Sequence, residues 1–410
     1  MIDRNSGKPA PANHPCTGPL ASHIGGFSTL LGRQGYAPVT LHAKRALVAD
    51  LSRWLEVHGI SLDKLDEGRL GQFHEAHHDK KRRGDVTTSQ QLLGYLYDLG
   101  CIQAPPRKAD LSPVGELISE FERFLRSERG LSPATLVNCL PIVRRFLVER
   151  FGNDALSFDE LGAADIHRFI VRHVQSGARG RAKLLVTALR SFLRFLQQRG
   201  AIATNLAAAV PGVAGWRLAH LPKTLPPEQV ERLLASCDRG TPTGQRDYAV
   251  LLLLARLGLR GGEVVAMTLD DLDWECGEIV VRGKGQRLTR LQLPTDVGAA
   301  LADYLSHVRP PCSTRRVFIR MYAPWRGLAG PVAVCCVVRR ALKRAGLSPE
   351  FKGAHLLRHS LATDLLRRGA SLVEIGQLLR HSQPNTTQIY AKVDIAALRA
   401  IALPWPGASS

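Results

Sequence analysis

The stretch Glu278-Ile-Val-Val-Arg-Gly-Lys-Gly-Gln-Arg-Leu-Thr-Arg-Leu-Gln-Leu293 is the part of this chain that least resembles a helix. Apolar and β-branched residues flank Gly283-Lys-Gly-Gln286, which predicts two strands, Glu278 to Arg282 and Leu288 to Leu293, joined as a hairpin. Upstream, Val230, Leu233, Leu234 and Cys237 fall on one face of a helix. Tyr248 to Leu257 is apolar nearly all round, so it should be a buried helix, stopped at Gly258. Downstream, Arg316 to Arg320 suggests another strand, and the pattern is helical again from Val332. Residues 222–410 therefore read as one mixed α+β region.

The rest of the chain is helical and matches itself. Gly35-Tyr-Ala-Pro-Val-Thr-Leu41 aligns with Gly130-Leu-Ser-Pro-Ala-Thr-Leu136, and Phe73 and His77 with Phe169 and His173. Leu92-Leu-Gly-Tyr-Leu96 aligns with Phe192-Leu-Arg-Phe-Leu196, and Gly100-Cys-Ile102 with Gly200-Ala-Ile202. The offset drifts from 95 to 100, as loop insertions would produce. This predicts a small helical domain present twice, over residues 26–105 and 106–211, after a flexible tail at 1–25. The fold class is mainly α with a small β component.

In the second copy, Thr135 can cap a helix whose Leu136, Leu140, Val143 and Leu147 form an apolar stripe, with Arg144 and Arg145 outside it. In the first, Lys44, Arg45 and Arg53 lie outside the stripe of Leu41, Leu47, Val48, Leu51 and Leu55. A basic outer face suits a phosphate backbone, and periodicity alone equally allows a solvated one. Lys44, Arg45, Arg144, Arg145, Arg181 and Lys183 are the candidate DNA contacts, with the run Lys80-Lys-Arg-Arg83 beside them.

The formal net charge over 410 residues is +19. Such a surplus favours a polyanionic partner, because each cation placed on a phosphate releases condensed counterions. No basic amphipathic helix with a large aromatic face argues for a membrane surface. Eight cysteines include no C-x-x-C pair, so neither a zinc site nor a disulfide framework is expected. Met1 to Pro19 lacks an apolar signal core, and Tyr248 to Leu259 is too short to span a bilayer. The expectation is a cytoplasmic, DNA-associated protein.

Breaking a phosphodiester without a metal needs a nucleophile, cationic donors for the non-bridging oxygens and an acid for the leaving oxygen. Arg260, in Leu257-Gly-Leu-Arg-Gly-Gly-Glu-Val264, follows a glycine turn, and Glu263 could brace it. Alone, that is an ordinary i, i+3 pair. Lys284 sits at the hairpin tip, where Gly-Lys-Gly by itself is only a turn. In His355-Leu-Leu-Arg358-His359-Ser, His355 and Arg358 share a helix face and can converge on one phosphate. Tyr390 closes Leu379-Arg-His381-Ser-Gln-Pro-Asn-Thr-Thr-Gln-Ile-Tyr390, and a tyrosine there would by itself be a packing residue.

Taken together, the order Arg260, Lys284, His355, Arg358, His381, Tyr390 resembles the tyrosine recombinase (phage integrase) family over about residues 222–400. The resemblance implies that Arg260 and Arg358 clamp the scissile phosphate and that Lys284 is the general acid. It implies that His355 shares proton transfer with Tyr390, that His381 bonds the phosphate, and that Tyr390 forms a 3′-phosphotyrosyl link. That link stores the bond energy, so neither metal nor nucleotide cofactor is expected. Residues 111–208 resemble the family's SAM-like core-binding domain. The implied partners are duplex DNA, further subunits in a tetrameric synapse, which the C-terminal tail would help to assemble, and other recombinases.

The family commonly has Leu-Gly-His where this chain has Leu379-Arg380-His381, which removes a flexible glycine and adds a charge. The extra N-terminal copy makes the layout similar to integrase-type transposases of bacterial mobile elements. A type IB topoisomerase would use related chemistry but act alone, and a silent DNA-binding partner would lack part of the set of six.

Overall fold

The computed structural model describes residues 17–78, 82, 84–103, 110–152, 156–174, 179–213, 222–283, 287–381 and 383–393. They fall into two compact units. One combines residues 1–103 with 220–410, and the other is residues 104–219.

The first helical region holds α1 (Ile24–Arg33), α2 (Pro38–Val57), α3 (Glu67–Ala76) and α4 (Asp85–Asp98) around a core that includes Phe27, Leu51, Leu55, Phe73 and Leu96. The second holds α5 (Pro113–Ser127), α6 (Pro133–Phe151), α7 (Ala163–Val174) and α8 (Arg179–Gln198) around Phe121, Phe146, Leu147, Phe192 and Leu196. Both halves of the internal sequence match therefore form a run of four helices. The aligned details coincide as well. Gly35 and Gly130 both have positive φ, at 86° and 58°, and each precedes a helix with proline at its start. The ring pairs Phe73–His77 and Phe169–His173 both have centroids 4.4 Å apart.

α6 begins at Pro133, two residues before the predicted cap at Thr135. Proline at the first helical position wastes no hydrogen bond. The Thr135 hydroxyl instead lies 3.1 Å from that of Ser132. The predicted stripe holds, with Leu136, Val143 and Leu147 buried and Leu140 packed at its edge.

The mixed α+β region runs α9 (Pro227–Ala235), α10 (Pro242–Arg256), α11 (Gly261–Ala266), β1 (Leu272–Asp273), β2 (Glu278–Arg282), β3 (Leu288–Gln292), α12 (Thr295–Asp303), α13 (Pro331–Arg344), α14 (Ala354–Arg367) and α15 (Leu372–Leu378). A 3-10 segment, Pro384–Val393, follows. The sheet is antiparallel in the order β1-β2-β3, with Val280 opposite Arg290. α10 is buried from Ala249 to Ala255, as its uniform apolarity requires. The predicted strand at Arg316 to Arg320 does not form. It makes only single bridges, Thr268 to Arg316 and Ile319 to Gly327, because its neighbours at Met267–Leu269 and Arg326–Leu328 pair with it over only a residue or two.

The first helical region packs with the mixed α+β region. The Trp325 amide donates to the Gln34 carbonyl at 2.8 Å. The indole covers Gly35 so closely that a Cβ there would lie 2.1 Å from it. Among the described residues no helix is long and apolar enough to cross a membrane.

Candidate active site

The site is assembled at the ends of three elements. α10 ends in a turn at Gly258, whose φ of 58° suits glycine, and a Cβ there would meet the Leu379 side chain at 2.6 Å. The turn delivers Arg260 to the start of α11. Glu263, buried on the first turn of α11, accepts the Arg260 amide through Oε2 at 2.8 Å and the Arg260 Nη1 through Oε1 at 2.7 Å. A side chain that caps a helix and holds a guanidinium at once fixes the direction of Arg260.

Arg358 comes from α14 and is 2% exposed. Its Nη1 donates to the Gly258 carbonyl and its Nη2 to the Leu379 carbonyl, so it ties α14 to both the Arg260 turn and the segment leading to Tyr390. Burial lowers its pKa to about 10, helped by Arg260 and Arg380.

Tyr390 lies in the Pro384–Val393 segment and is 1% exposed, packed with Ala362, Ile375 and Leu379. Its hydroxyl is 2.8 Å from His359 Nδ1. The resemblance implies proton transfer between Tyr390 and His355, whereas the hydroxyl is bonded here to His359. His355 is on the same helix but exposed, its ring 6.2 Å from that of His359. The reason is one helical turn. Residue 359 lies four positions on, and the segment carrying Tyr390 packs at that level of α14. His359 stands in the quoted motif, yet nothing in the local sequence distinguishes it from His355.

His381 directs Nδ1 to the Thr387 hydroxyl at 2.7 Å, with its ring parallel to Tyr390 at 6.5 Å between centroids. Arg380 is the one non-glycine among the described residues with positive φ, at 55°. That conformation costs about 1–2 kcal/mol for a side-chain-bearing residue. The Arg380 side chain is buried and pairs with Glu263 at 3.1 Å. Lys284 lies outside the described residues, as does the Lys80-Lys-Arg-Arg83 run apart from Arg82. The tail is described only as far as Val393.

Burial raises the Tyr390 hydroxyl to about 12 against the pull of Arg358 and Arg260. Burial, then the His355 and Arg358 charges, lower His359 to about 4. Burial, then Arg358 and Arg260, lower His381 to about 4. Both imidazoles are therefore neutral near pH 7, and the tautomer of His359 sets whether Nδ1 or the phenol is the donor. Burial disfavours the Glu263 carboxylate, but the Arg260 amide and the Arg380 and Arg260 guanidiniums outweigh it, leaving its pKa below the usual range. Two guanidiniums, Arg260 and Arg380, thus share one carboxylate with a third, Arg358, close by, an arrangement that attracts an anion.

The candidate DNA contacts divide. Lys44 points inward, donating to Thr88 Oγ1 at 2.8 Å and Gln91 Oε1 at 3.0 Å, with its ammonium 4.6 Å from the Tyr36 ring centroid. It joins α2 to α4, which corrects its placement on the outer face. Arg45 on α2, Arg145 on α6, and Arg181 and Lys183 on α8 are exposed. Arg144 is exposed but paired with Asp110 at 2.5 Å.

Comparison with known proteins places the chain in a family. Residues 223–396 match the phage integrase family, and residues 118–200 match the phage integrase N-terminal SAM-like domain. A Sinorhizobium fredii protein named as an integrase/recombinase (y4rA) is 45% identical over 96% of this chain and 97% of its own length. Tyrosine recombinase XerD of Listeria monocytogenes is 32% identical over 70% of this chain and 97% of its own. Among solved structures, XerH site-specific recombinase bound to its palindromic difH substrate matches 69% of this chain and 83% of its own, with a TM-score of 0.56 at 21% identity. A lambda integrase tetramer bound to a Holliday junction matches 76% and 87%, with a TM-score of 0.52 at 20% identity. The chain belongs to the phage integrase family, the tyrosine-type site-specific DNA recombinases.

Proposed function

We propose that the chain cuts and rejoins duplex DNA through a covalent 3′-phosphotyrosyl intermediate on Tyr390, within a tetrameric synapse. The observation that carries this reading is the Tyr390 hydroxyl held by a neutral imidazole beside Arg358 and Arg260. The scissile phosphate binds Arg260 and Arg358, which stabilise the charge on its non-bridging oxygens, with His381 as a further donor. Tyr390 Oη attacks phosphorus, and the bond to the 5′ oxygen breaks. The phenolic proton passes to an imidazole, and a proton from Lys284 goes to the leaving 5′ hydroxyl.

A phenol near 12 and an imidazole near 4 make full proton transfer before attack unfavourable. The proton therefore leaves as the new O–P bond forms. In the tautomer with Nδ1 unprotonated, His359 is the acceptor, and His355, one turn earlier, lies toward the exposed side, where DNA would arrive. The phosphotyrosyl bond keeps the energy of the broken one, so rejoining needs neither a metal nor a nucleotide. Arg45, Arg145, Arg181 and Lys183 supply contacts to the DNA backbone.

Covalent trapping tests the reading. Nicked duplexes taken from the DNA flanking the chain's own gene would be incubated with wild type and with Tyr390→Phe, in the presence of a chelator. A denaturation-resistant adduct with wild type alone is expected. An equal adduct with Tyr390→Phe, or none with wild type on DNA that it binds, would overturn the reading.

A further inference from the structure

We infer that Arg380 is a further positioning residue of the cleavage site, locking the turn that carries His381 and Tyr390 onto the Arg260–Glu263 helix start. The inference rests on the phosphotyrosyl reading for its catalytic consequence.

Arg380 holds a backbone conformation that disfavours side chains, and its guanidinium is nonetheless driven inside, with 7% of the side chain exposed. Its contacts account for this. Nη1 donates to the Leu378 carbonyl at 2.9 Å, which closes the end of α15. Nη2 donates to Glu263 Oε2 at 3.1 Å and reaches toward the Gly258 carbonyl at 3.5 Å. Gly258 and the neighbouring Leu379 carbonyl are also the acceptors of Arg358. Two buried guanidiniums therefore pin consecutive carbonyls of the nucleophile segment to a single turn.

Glu263 links this clamp to the phosphate site. One oxygen serves Arg380 and the Arg260 amide, and the other serves the Arg260 side chain. A carboxylate shared between two guanidiniums holds Arg260 less strongly than one it could neutralise alone, leaving Arg260 freer for a phosphate. Arg380 Nε is a second, independent sign. It is buried and has no acceptor among the described residues, so a donor is left over within the anion site.

The test compares Arg380→Met, which keeps length without charge, Arg380→Lys, and Glu263→Gln with wild type on the same nicked duplexes. Single-turnover adduct formation at saturating DNA should fall at least about tenfold in Arg380→Met, since small misplacements of reacting groups are costly. The dissociation constant for that DNA should change far less. Arg380→Lys should recover part of the rate. The Arg380→Met, Glu263→Gln double variant should be no slower than the slower single one. Amide exchange over Leu378 to Val393, measured without DNA, should accelerate in Arg380→Met.

Unchanged exchange with an unchanged rate would overturn the inference, and so would strictly additive losses. If wild type forms no adduct, the phosphotyrosyl reading fails, and exchange over this segment still decides whether Arg380 fixes it. If Arg380→Met does not fold, Arg380→Lys carries the comparison, and a rate equal to wild type with unchanged exchange would overturn the inference.

Discussion

The Tyr390 hydroxyl is bonded to His359 Nδ1 at 2.8 Å, across 31 residues of sequence, while His355 stands one helical turn away on the exposed side of α14. The two histidines should therefore fail differently when removed. His359→Phe should slow adduct formation by about a hundredfold or more, the usual scale for losing a positioned proton acceptor. His355→Phe should leave the resting Tyr390 environment intact, while His359→Phe alters the tyrosine ultraviolet difference spectrum. Equal spectral effects from both variants would contradict this arrangement.

The depressed imidazoles make the catalytic region sensitive to acid. His359 and His381 have folded pKa values of about 4, below the ordinary value of 6.5. Between those limits the unfolded chain binds protons that the folded chain refuses, so stability is fully present above pH 6.5 and is lost as pH falls toward 4. The midpoint of thermal unfolding should drop across that window. His359→Gln should flatten the drop.

Gly258 should be intolerant of substitution. Gly258→Ala forces a side chain into positive φ and against Leu379. A loss of about 1–3 kcal/mol is expected from the backbone alone. Chemical denaturation measures it, and an unchanged midpoint would mean that the turn relaxes freely.

The basic residues should separate by salt dependence. Replacing Arg145, Arg181 or Lys183 by alanine should each lower the slope of log affinity against log salt by about 1 if the residue meets a phosphate. Lys44→Met should leave the slope unchanged and reduce stability, because it removes the Thr88 and Gln91 bonds within the first helical region. A reduced slope with Lys44→Met would place that ammonium on DNA after all.

Much of this molecule was legible in its sequence because the deciding features are local. The buried helix at 249–255, the hairpin strands at 278–282 and 288–292, and the helical character of the two matched regions follow from apolar periodicity and turn residues, while the count of four helices in each comes from the structure. The brace between Arg260 and Glu263 follows from i, i+3 spacing at a helix start. Packing decided the rest. Periodicity put Lys44 on an outer face, but α4 lies close enough to turn it inward. Two histidines one turn apart are equivalent in sequence, and only the level at which the Pro384–Val393 segment meets α14 selects His359. Arg380 read as a charge in place of glycine. Its ion pair with Glu263 spans 117 residues and exists because three elements converge on Gly258. Helix geometry fixes neighbours three or four residues apart, whereas contacts between distant segments depend on how filled cores set the elements against one another.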